Sequence, residues 1–381
     1  MRSSSSISSK ILDNIFASKR NWKPRMIDKS IILYGAGSLG KMAHDFFNHL
    51  HIPFLYTVDI YADKYSKNQT WKHTKVIHPD LVPDYDKKNS LLIVCIVTTP
   101  LSPLKEKLLK EGWEDVEFFY NVSQAYNKIY PLNNGWVWEG QLTKKDKENI
   151  RKVFSFLEDT NSKEHYAQFL AWRISKRELS LKNFTVNNTH RFFIPEITNI
   201  LHNQEIFIDG GAHTGDVSRK FAEITQYSYS HIYAIEPDPQ NFKALSKSIS
   251  KLPRVTLFSC AFSNRNSRQR FFSGFNFSSQ LHKKGNILVP TKKIDVLNLA
   301  PTFIKLHLEG AEFNTLKGAI KTILKYRPIL AITIYHNADG IWKIPLLLMQ
   351  TLKDYTYYIR MHTWAGTGAV LYAVPRERIK K

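Results

Sequence analysis

At 381 residues the chain is long enough for two or three domains, each with its own core. Its two cysteines, Cys95 and Cys260, lie in separate apolar runs, which excludes a disulfide framework and predicts core thiols in a reducing cytoplasm, and no run approaches the roughly 18 apolar residues of a membrane span. The formal net charge of +21 draws anions such as nucleotide phosphates, phosphorylated glycolipids, an acidic membrane surface or nucleic acid; because Lys and Arg are spread along the chain, a diffuse solubilising surface reads equally well.

Residues 1–26 are Ser-rich and then basic, without the apolar stretch of a secretory signal. They read as a mobile tail, or as one short helix carrying Ile11, Ile15 and Phe16. A strand over Ser30–Tyr34 runs into Gly35-Ala-Gly37-Ser-Leu-Gly40, and Met42, Ala43, Phe46, Phe47 and Leu50 follow at helical spacing. A second strand, Phe54–Val58, ends in Asp59. Strand, Gly turn, helix, strand and acid is the order of a dinucleotide-binding unit, with Asp59 in the ribose position. The same turn also serves close helix-to-strand packing, so a ligand site and a structural turn both stay open. Leu91–Thr98 predicts a central parallel strand, Leu104, Leu108 and Leu109 a helix, and Val116–Phe119 a further strand. Residues 27–128 thus predict a small Rossmann-like α/β domain, with nucleotide or nucleotide-sugar binding left open. NAD chemistry is disfavoured, because nothing downstream supplies a dehydrogenase acid/base pair.

Residues 129–200 read as a helical linker. Pro131–Gly140 is turn chemistry with Trp136 and Trp138. Thr143 and Asp146 are spaced as a capping box ahead of Ile150, Val153, Phe154 and Leu157. A second helix from near Asn161 puts Tyr166, Phe169, Leu170 and Arg173 on one face. Such stripes predict a helical pair docking two α/β units; alternatively Trp136, Trp138 and Trp172 line a sugar-stacking cleft.

Strands and helices alternate through residues 201–381, with strands at 206–208, 232–235, 255–258, 303–308, 329–335, Tyr355–Met361 and Ala369–Val374. This predicts a mainly parallel, doubly wound sheet whose ligand lies beyond the carboxyl ends of the strands. Its organising stretch is Glu-Ile-Phe-Ile-Asp-Gly-Gly-Ala-His-Thr-Gly-Asp at 205–216. Glycines at 210, 211 and 215 let the backbone approach a ligand closely. A pyrophosphate loop carries no acid inside the turn, whereas Asp209 and Asp216 bracket this one. That favours a ligand with cationic centres, such as the amino and sulfonium groups of S-adenosylmethionine. Glu236, 27 residues after Asp209, closes the next strand, where an acid accepts both ribose hydroxyls.

Four ordered segments, Asp209–Asp216, Ile-Glu-Pro-Asp-Pro-Gln-Asn-Phe at 235–242, Ile-Lys-Leu-His-Leu-Glu-Gly-Ala-Glu at 304–312 and Arg-Pro-Ile-Leu-Ala-Ile-Thr-Ile-Tyr-His at 327–336, resemble the signatures of FkbM-type S-adenosylmethionine-dependent methyltransferases. The resemblance covers roughly the C-terminal half. It implies a class I methyltransferase sheet over 201–381, O-methylation, and a cofactor held by Asp209, Gly210, Gly211, Ala212, His213, Thr214, Gly215, Asp216, Glu236, Pro237 and Asp238. Cys260 and Ala261 fall where such enzymes contact the adenine, and Ser273–Ser279, with Ser278 and Ser279, reads as a loop over the cofactor. The first domain resembles a Rossmann-like module that precedes some FkbM-type domains, and nucleotide-sugar-binding modules of acyltransferases.

Alternation along Ile304–Glu309 puts Lys305, His307 and Glu309 on one face, at a strand end expected to open into a polar cavity. The family usually has Asp where this chain has His307, so the resemblance carries no metal or base role to that position; a neutral imidazole base and a structural histidine both remain. His336 is expected to be the general base, Glu309 its orienter or a substrate contact, and Lys305 a stabilising charge. Alternatively Glu309, His336 and a nearby acid hold a divalent cation. Arg360 and His362 alternate with apolar neighbours, facing either an anionic substrate or solvent. The leading reading is an O-methyltransferase acting on an anionic glycan, sugar nucleotide or surface-polysaccharide intermediate, with peripheral membrane contact open. A nucleic-acid methyltransferase is the second reading; the strand at 304–309 lacks the Asn/Asp-Pro-Pro-aromatic turn of base amino-methylation, and no RNA-binding signature appears. A non-catalytic nucleotide-binding scaffold is the third.

Overall fold

Aliphatic runs bounded by turn residues become parallel strands in both halves of the chain, the arrangement in which each face of a sheet is covered. The computed structural model describes residues 9–18, 22–65, 68–132 and 141–379. Trp136 and Trp138, and the basic residues Lys19, Arg20, Lys380 and Lys381, lie outside the described residues. The chain divides into two compact units: Lys19–Leu132 with Thr363–Ala365, and Met1–Ser18 with Asn133–His362 and Gly366–Lys381.

In the smaller unit, β1 (Ile31–Tyr34), β2 (Thr57–Val58), β3 (Val76–Ile77), β4 (Leu91–Val94) and β5 (Asp115–Phe118) form a wholly parallel sheet in the order β3-β2-β1-β4-β5. Ile32, Tyr34, Val58, Leu92, Val94, Leu108 and Trp113 share one core. Several strands are shorter than the apolar runs predict, and Phe119 opens the helix Phe119–Ala125 instead of closing β5. The Gly turn is braced by its own unit. Asp59 accepts the N–H of Ala36 at 2.7 Å and of Tyr61 at 2.8 Å, and the buried Trp71 donates its indole N–H to the Ala36 carbonyl at 3.1 Å.

The larger unit continues with β6 (Ile206–Gly210), β7 (His231–Ile235) and β8 (Val255–Phe258), then β9 (Ala261–Phe262), β10 (Ser267–Phe272), β11 (Gln280–Leu281) and β12 (Ile287–Lys292). It closes with β13 (Phe303–Leu306), β14 (Ile329–Thr333), β15 (Tyr355–Met361) and β16 (Ala369–Pro375). Seven of these form the main sheet, ordered β15-β16-β14-β13-β6-β7-β8. The pairs from β14 through β8 are parallel, and β16 runs antiparallel to both its neighbours. The strand order therefore reverses between β6 and β13, where an open α/β sheet leaves a crevice for a ligand. Phe193, Phe207, Phe221, Ile232, Phe303, Ile329 and Tyr372 belong to one core.

Residues 261–292 add a feature that the sequence pattern does not predict: a four-stranded sheet, β11-β10-β12-β9. Its core is small, with Ala261, Phe271 and Val289 buried, so no long apolar run announces it.

The helices predicted within 129–200 belong to the larger unit. Lys144–Phe156 opens with the reciprocal Thr143–Asp146 capping box and packs on the helix Gly340–Thr351. Thr160–Ser175 lies along β15, the edge strand, and is buried all round rather than on one stripe. Its polar side chains satisfy the edge: Ser162 Oγ accepts the Ile359 N–H at 3.1 Å, and His165 Nδ1 accepts that of Met361 at 3.0 Å. Of the two readings of the amino-terminal stretch, the helix is seen. Lys10–Ala17 packs on Thr160–Ser175 with Leu12 and Ile15 buried.

Three expectations are corrected here. Arg360 and His362 face neither solvent nor a substrate, being buried within this layer. Arg360 donates to Ser162 and Glu196 at 2.5 Å each, and His362 contacts the Asn187 carbonyl at 2.6 Å. Trp172 lines no cleft. It is buried against Gly366, where a Cβ would strike its ring.

Candidate active site

The turn after β6 is held from below by a buried ion pair. Lys305 on β13 donates hydrogen bonds to Asp209 at 2.8 Å, the Gly210 carbonyl at 3.2 Å and the Gly211 carbonyl at 2.8 Å. Ser218 donates to the other Asp209 oxygen at 2.7 Å. Side-chain exposure is 1% for Lys305 and 0% for Asp209, so neither faces a ligand. This corrects the expectation of a direct cofactor carboxylate at 209 and a free stabilising charge at 305. Asp216 is likewise displaced from its expected place: it starts the helix Asp216–Ile224, is 70% exposed and pairs with Arg219, while Thr214 donates to it at 3.2 Å.

Above this brace the glycines have steric reasons. Gly211 has φ +72°, and a Cβ there would collide with the His307 carbonyl oxygen. Gly211→Ala should therefore cost at least about 2 kcal/mol, from left-handed backbone strain plus the displaced 307 carbonyl, read as a lowered urea midpoint with unchanged slope. Gly215 has φ +88° and packs against Leu245 and Ile249, beside the buried Ala212.

Glu236, just beyond β7, is 5% exposed and accepts two backbone N–H groups, from His213 at 2.8 Å and Asp238 at 2.9 Å. Burial pushes its acid up to about 7. Two N–H donors use about half of a carboxylate's acceptor capacity, leaving room for the two O–H donors of a ribose diol. This spare, buried capacity beside a Gly turn fits the adenosyl group of S-adenosylmethionine. Pro237 leads into Asp238, which caps the helix Pro239–Ser248 through the N–H groups of Gln240 at 2.9 Å and Asn241 at 3.2 Å. Its other oxygen accepts the Gly274 N–H at 2.9 Å and the Ser279 hydroxyl at 2.8 Å. Asp238 therefore ties down the 273–279 loop and has little left for a ligand. That loop lies on the Gly turn: Phe277 stacks on His213 at 4.4 Å, and Asn276 Oδ1 contacts His213 Nε2 at 2.8 Å. Cys260 is buried, its thiol pushed up to about 11, and Ala261 belongs to the core of the small sheet.

The acceptor side is assembled where β13 and β14 end. β13 stops at Leu306 and Glu309 has φ +48°, so His307 and Glu309 reach the site through a turn. Strand alternation consequently misplaces Lys305 with them. His307 Nε2 lies 3.0 Å from Glu309 Oε1, and His336 Nε2 lies 3.3 Å from the same oxygen. The imidazole rings are nearly parallel, 5.1 Å apart. Glu312, quoted within the third motif but given no role there, is the partner that orients His336. It contacts His336 Nδ1 at 2.6 Å and accepts the Thr333 hydroxyl at 2.8 Å, the Leu308 N–H at 2.8 Å and the Gly310 N–H at 3.0 Å. Buried Arg173, pushed down to about 9 by desolvation, holds the loop carrying His336 by donating to the carbonyls of Tyr335 at 2.6 Å and Asn337 at 3.0 Å.

The electrostatics of this cluster alter the expected roles. Burial alone would discharge His336, but Glu309 and Glu312 hold its imidazole well above the ordinary value. With no cation bound, this pairing favours the charged imidazole and so opposes the base role expected for His336. His307 goes the other way, down to about 3, through burial and then Arg191, and is neutral. Burial would raise Glu309, yet His336 and His307 keep it well below the ordinary carboxylate range. Arg191, which the sequence pattern leaves unnoticed, and Tyr335, which lies in the fourth motif without a role there, form the adjoining wall. Tyr335 Oη lies 3.1 Å from His307 Nε2 and accepts from Arg191 at 2.9 Å.

Residues 209–359 match the family model described as the methyltransferase FkbM domain. A solved methyltransferase FkbM from Methylobacillus flagellatus KT aligns over 97% of this chain and 94% of its own, at 17% identity and TM-score 0.60, and so shares the fold. Precorrin-6y C5,15-methyltransferase from Geobacter metallireducens GS-15 aligns over 49% of this chain and 91% of its own, at 13% identity and TM-score 0.30. Fibrillarin from Aeropyrum pernix, solved with natively bound S-adenosyl-L-methionine, aligns over 46% and 68%, at 9% identity and TM-score 0.31. No curated protein matches the chain by sequence. With the FkbM motifs lying on converging strand ends of a sheet that reverses between β6 and β13, residues 209–359 are an FkbM methyltransferase domain and the chain is an S-adenosylmethionine-dependent methyltransferase.

Proposed function

We propose that the acceptor is a hydroxyl group of an anionic glycan, sugar nucleotide or surface-polysaccharide intermediate. The observation that carries this reading is the His307–Glu309–His336 cluster, a nitrogen- and carboxylate-bearing site able to hydrogen-bond and orient a hydroxyl, next to the turn that Gly211 packs onto the His307 carbonyl. When bound, S-adenosylmethionine supplies a methyl carbon that forms a bond to the acceptor oxygen as its bond to sulfur breaks, the electron pair staying on sulfur and the hydroxyl proton passing to solvent. Glu236 holds the ribose, and the Gly turn fixes the approach of the backbone. Positioning of this kind contributes more than proton transfer, which adds about 10²- to 10⁴-fold. The anionic acceptor is supported by Arg191, whose Nε lies buried without a hydrogen bond beside Tyr335, and by the net charge of +21. A working compartment in the cytoplasm, where sugar nucleotides and the cofactor are made, fits the two buried free cysteines; among the described residues no helix is long and apolar enough to cross a membrane.

The test is to incubate the chain with methyl-labelled cofactor and separate fractions of nucleotide sugars, glycolipids and RNA. Label should enter a sugar-containing fraction and survive mild alkali, as an ether does and a carboxyl ester does not. Label confined to RNA, or lost in alkali, overturns the proposal.

A further inference from the structure

We propose that His307, Glu309 and His336 form a binding site for one divalent transition-metal ion, with Glu312 as the group that orients His336 toward it. One ligand atom from each of the three residues lies within 4.8 Å of the others. Two imidazole nitrogens and one carboxylate oxygen make a donor set suited to Zn²⁺, Mn²⁺, Fe²⁺ or Co²⁺, whereas Mg²⁺ and Ca²⁺ favour all-oxygen sites.

An ion-paired cluster without a metal would explain the short distances, but not two further features. The first is His336 Nε2, which is buried on a side chain 1% exposed and makes no hydrogen bond, although Glu309 Oε1 is 3.3 Å away. Such a nitrogen is costly unless something binds it. The second is the carboxylate held behind it. Glu312 grips the opposite ring nitrogen at 2.6 Å and is itself held by the Thr333 hydroxyl and the backbone N–H groups of Leu308 and Gly310. A carboxylate behind a histidine fixes the ring orientation and raises ligand basicity, as in many metal sites. Glu309 and Glu312 together also carry the two negative charges that balance a dication. His307 shares its Nε2 with the Tyr335 hydroxyl at 3.1 Å, so metal entry displaces that contact and leaves the hydroxyl accepting from Arg191.

Three protein ligands leave coordination positions open, as catalytic sites require. The function of the ion rests on the hydroxyl-acceptor reading above: an acceptor oxygen on the open side is oriented and made more acidic before it attacks the methyl carbon. The acceptor's proton then passes to solvent.

Tag-free full-length protein, stripped with EDTA and dialysed, is titrated with Mn²⁺, Zn²⁺ and Co²⁺ by calorimetry, and the Co²⁺ form is followed by visible absorption. One saturable ion per chain is expected. His307→Ala and Glu309→Gln should abolish it, and Glu312→Gln should weaken it by about 10- to 100-fold while altering the Co²⁺ spectrum. Circular dichroism establishes that each variant is folded, and variants that do not fold are replaced by Glu309→Asp, which keeps the charge and moves the ligand atom. No saturable binding of any of the three ions, or binding unchanged in these variants, overturns the site. Labelled-methyl transfer with EDTA present separates the two proposals: undiminished transfer to a hydroxyl removes the metal and keeps the acceptor reading, whereas an ion at the cluster without transfer to any hydroxyl does the reverse.

Discussion

Glu236→Gln is expected to weaken S-adenosylmethionine binding by roughly 100-fold or more at pH 8, and to remove its dependence on pH. A ribose diol placed on Glu236 donates two hydrogen bonds to a charged acceptor, each contributing about 1.5 to 3 kcal/mol, and a neutral amide forfeits most of this while turning an N–H toward one of the donors. Because burial pushes the acid up to about 7, the wild-type carboxylate must lose a proton to accept both hydroxyls. Wild-type affinity should therefore fall about tenfold for each pH unit below 7, while the variant stays flat. Stability moves in the opposite sense. The folded acid is raised above its ordinary 4.5, so its contribution to stability is complete below 4.5 and is lost as pH rises through about 7. That gap corresponds to about 3 kcal/mol. Between pH 5 and pH 8 the stability difference, variant minus wild type, should shift toward the variant by up to this amount in urea titrations without cofactor. A variant that binds cofactor as tightly as wild type at pH 8 would remove Glu236 from the site. Together the two trends describe a functional acid held at a cost to the fold.

The parts of this arrangement that the sequence makes legible are those governed by short-range pattern. Ile206–Ile208 and Leu91–Val94 are short apolar runs bounded by turn residues, as covered parallel strands are, and Tyr355–Met361 is a strand over the predicted span. Thr143 and Asp146 form their capping box because both partners lie within one helical turn. Legibility ends where a residue's role depends on a distant partner. Lys305 reads as a reactive cation by alternation, yet its carboxylate partner is 96 positions earlier and both are buried. Glu309 departs from the strand through a left-handed residue that hydropathy does not report. Arg191 and Tyr335 meet across 144 positions. Glu312 is legible in part, since it belongs to the 304–312 motif and the pairing of β13 with β14 brings it to His336, whose imidazole needs an orienting partner on the nitrogen opposite the site.

Lys305→Met should destabilise the protein by about 3 to 5 kcal/mol and abolish cofactor binding, whereas the double variant Asp209→Asn with Lys305→Met should recover most of the stability. The single change removes a cation from the interior and leaves Asp209 buried with only the Ser218 hydroxyl, the circumstance in which a broken buried pair costs most. It also releases the carbonyls of Gly210 and Gly211, which Lys305 gathers at 3.2 Å and 2.8 Å, so the turn that presents the backbone loses its shape. In the double variant the uncompensated charge is gone, and a linear thioether fills most of the volume of the lysine stem. The coupling between positions, read from a double-mutant cycle in urea, should exceed about 1.5 kcal/mol. Cofactor affinity should follow stability only in part, because the carbonyls remain without their donor. A charge acting on the reacting centre predicts another pattern: Lys305→Met would keep its urea midpoint and its affinity and lose turnover alone. The first pattern lowers the urea midpoint and the second leaves it unchanged, so one denaturation series decides whether this lysine braces the turn or faces the chemistry.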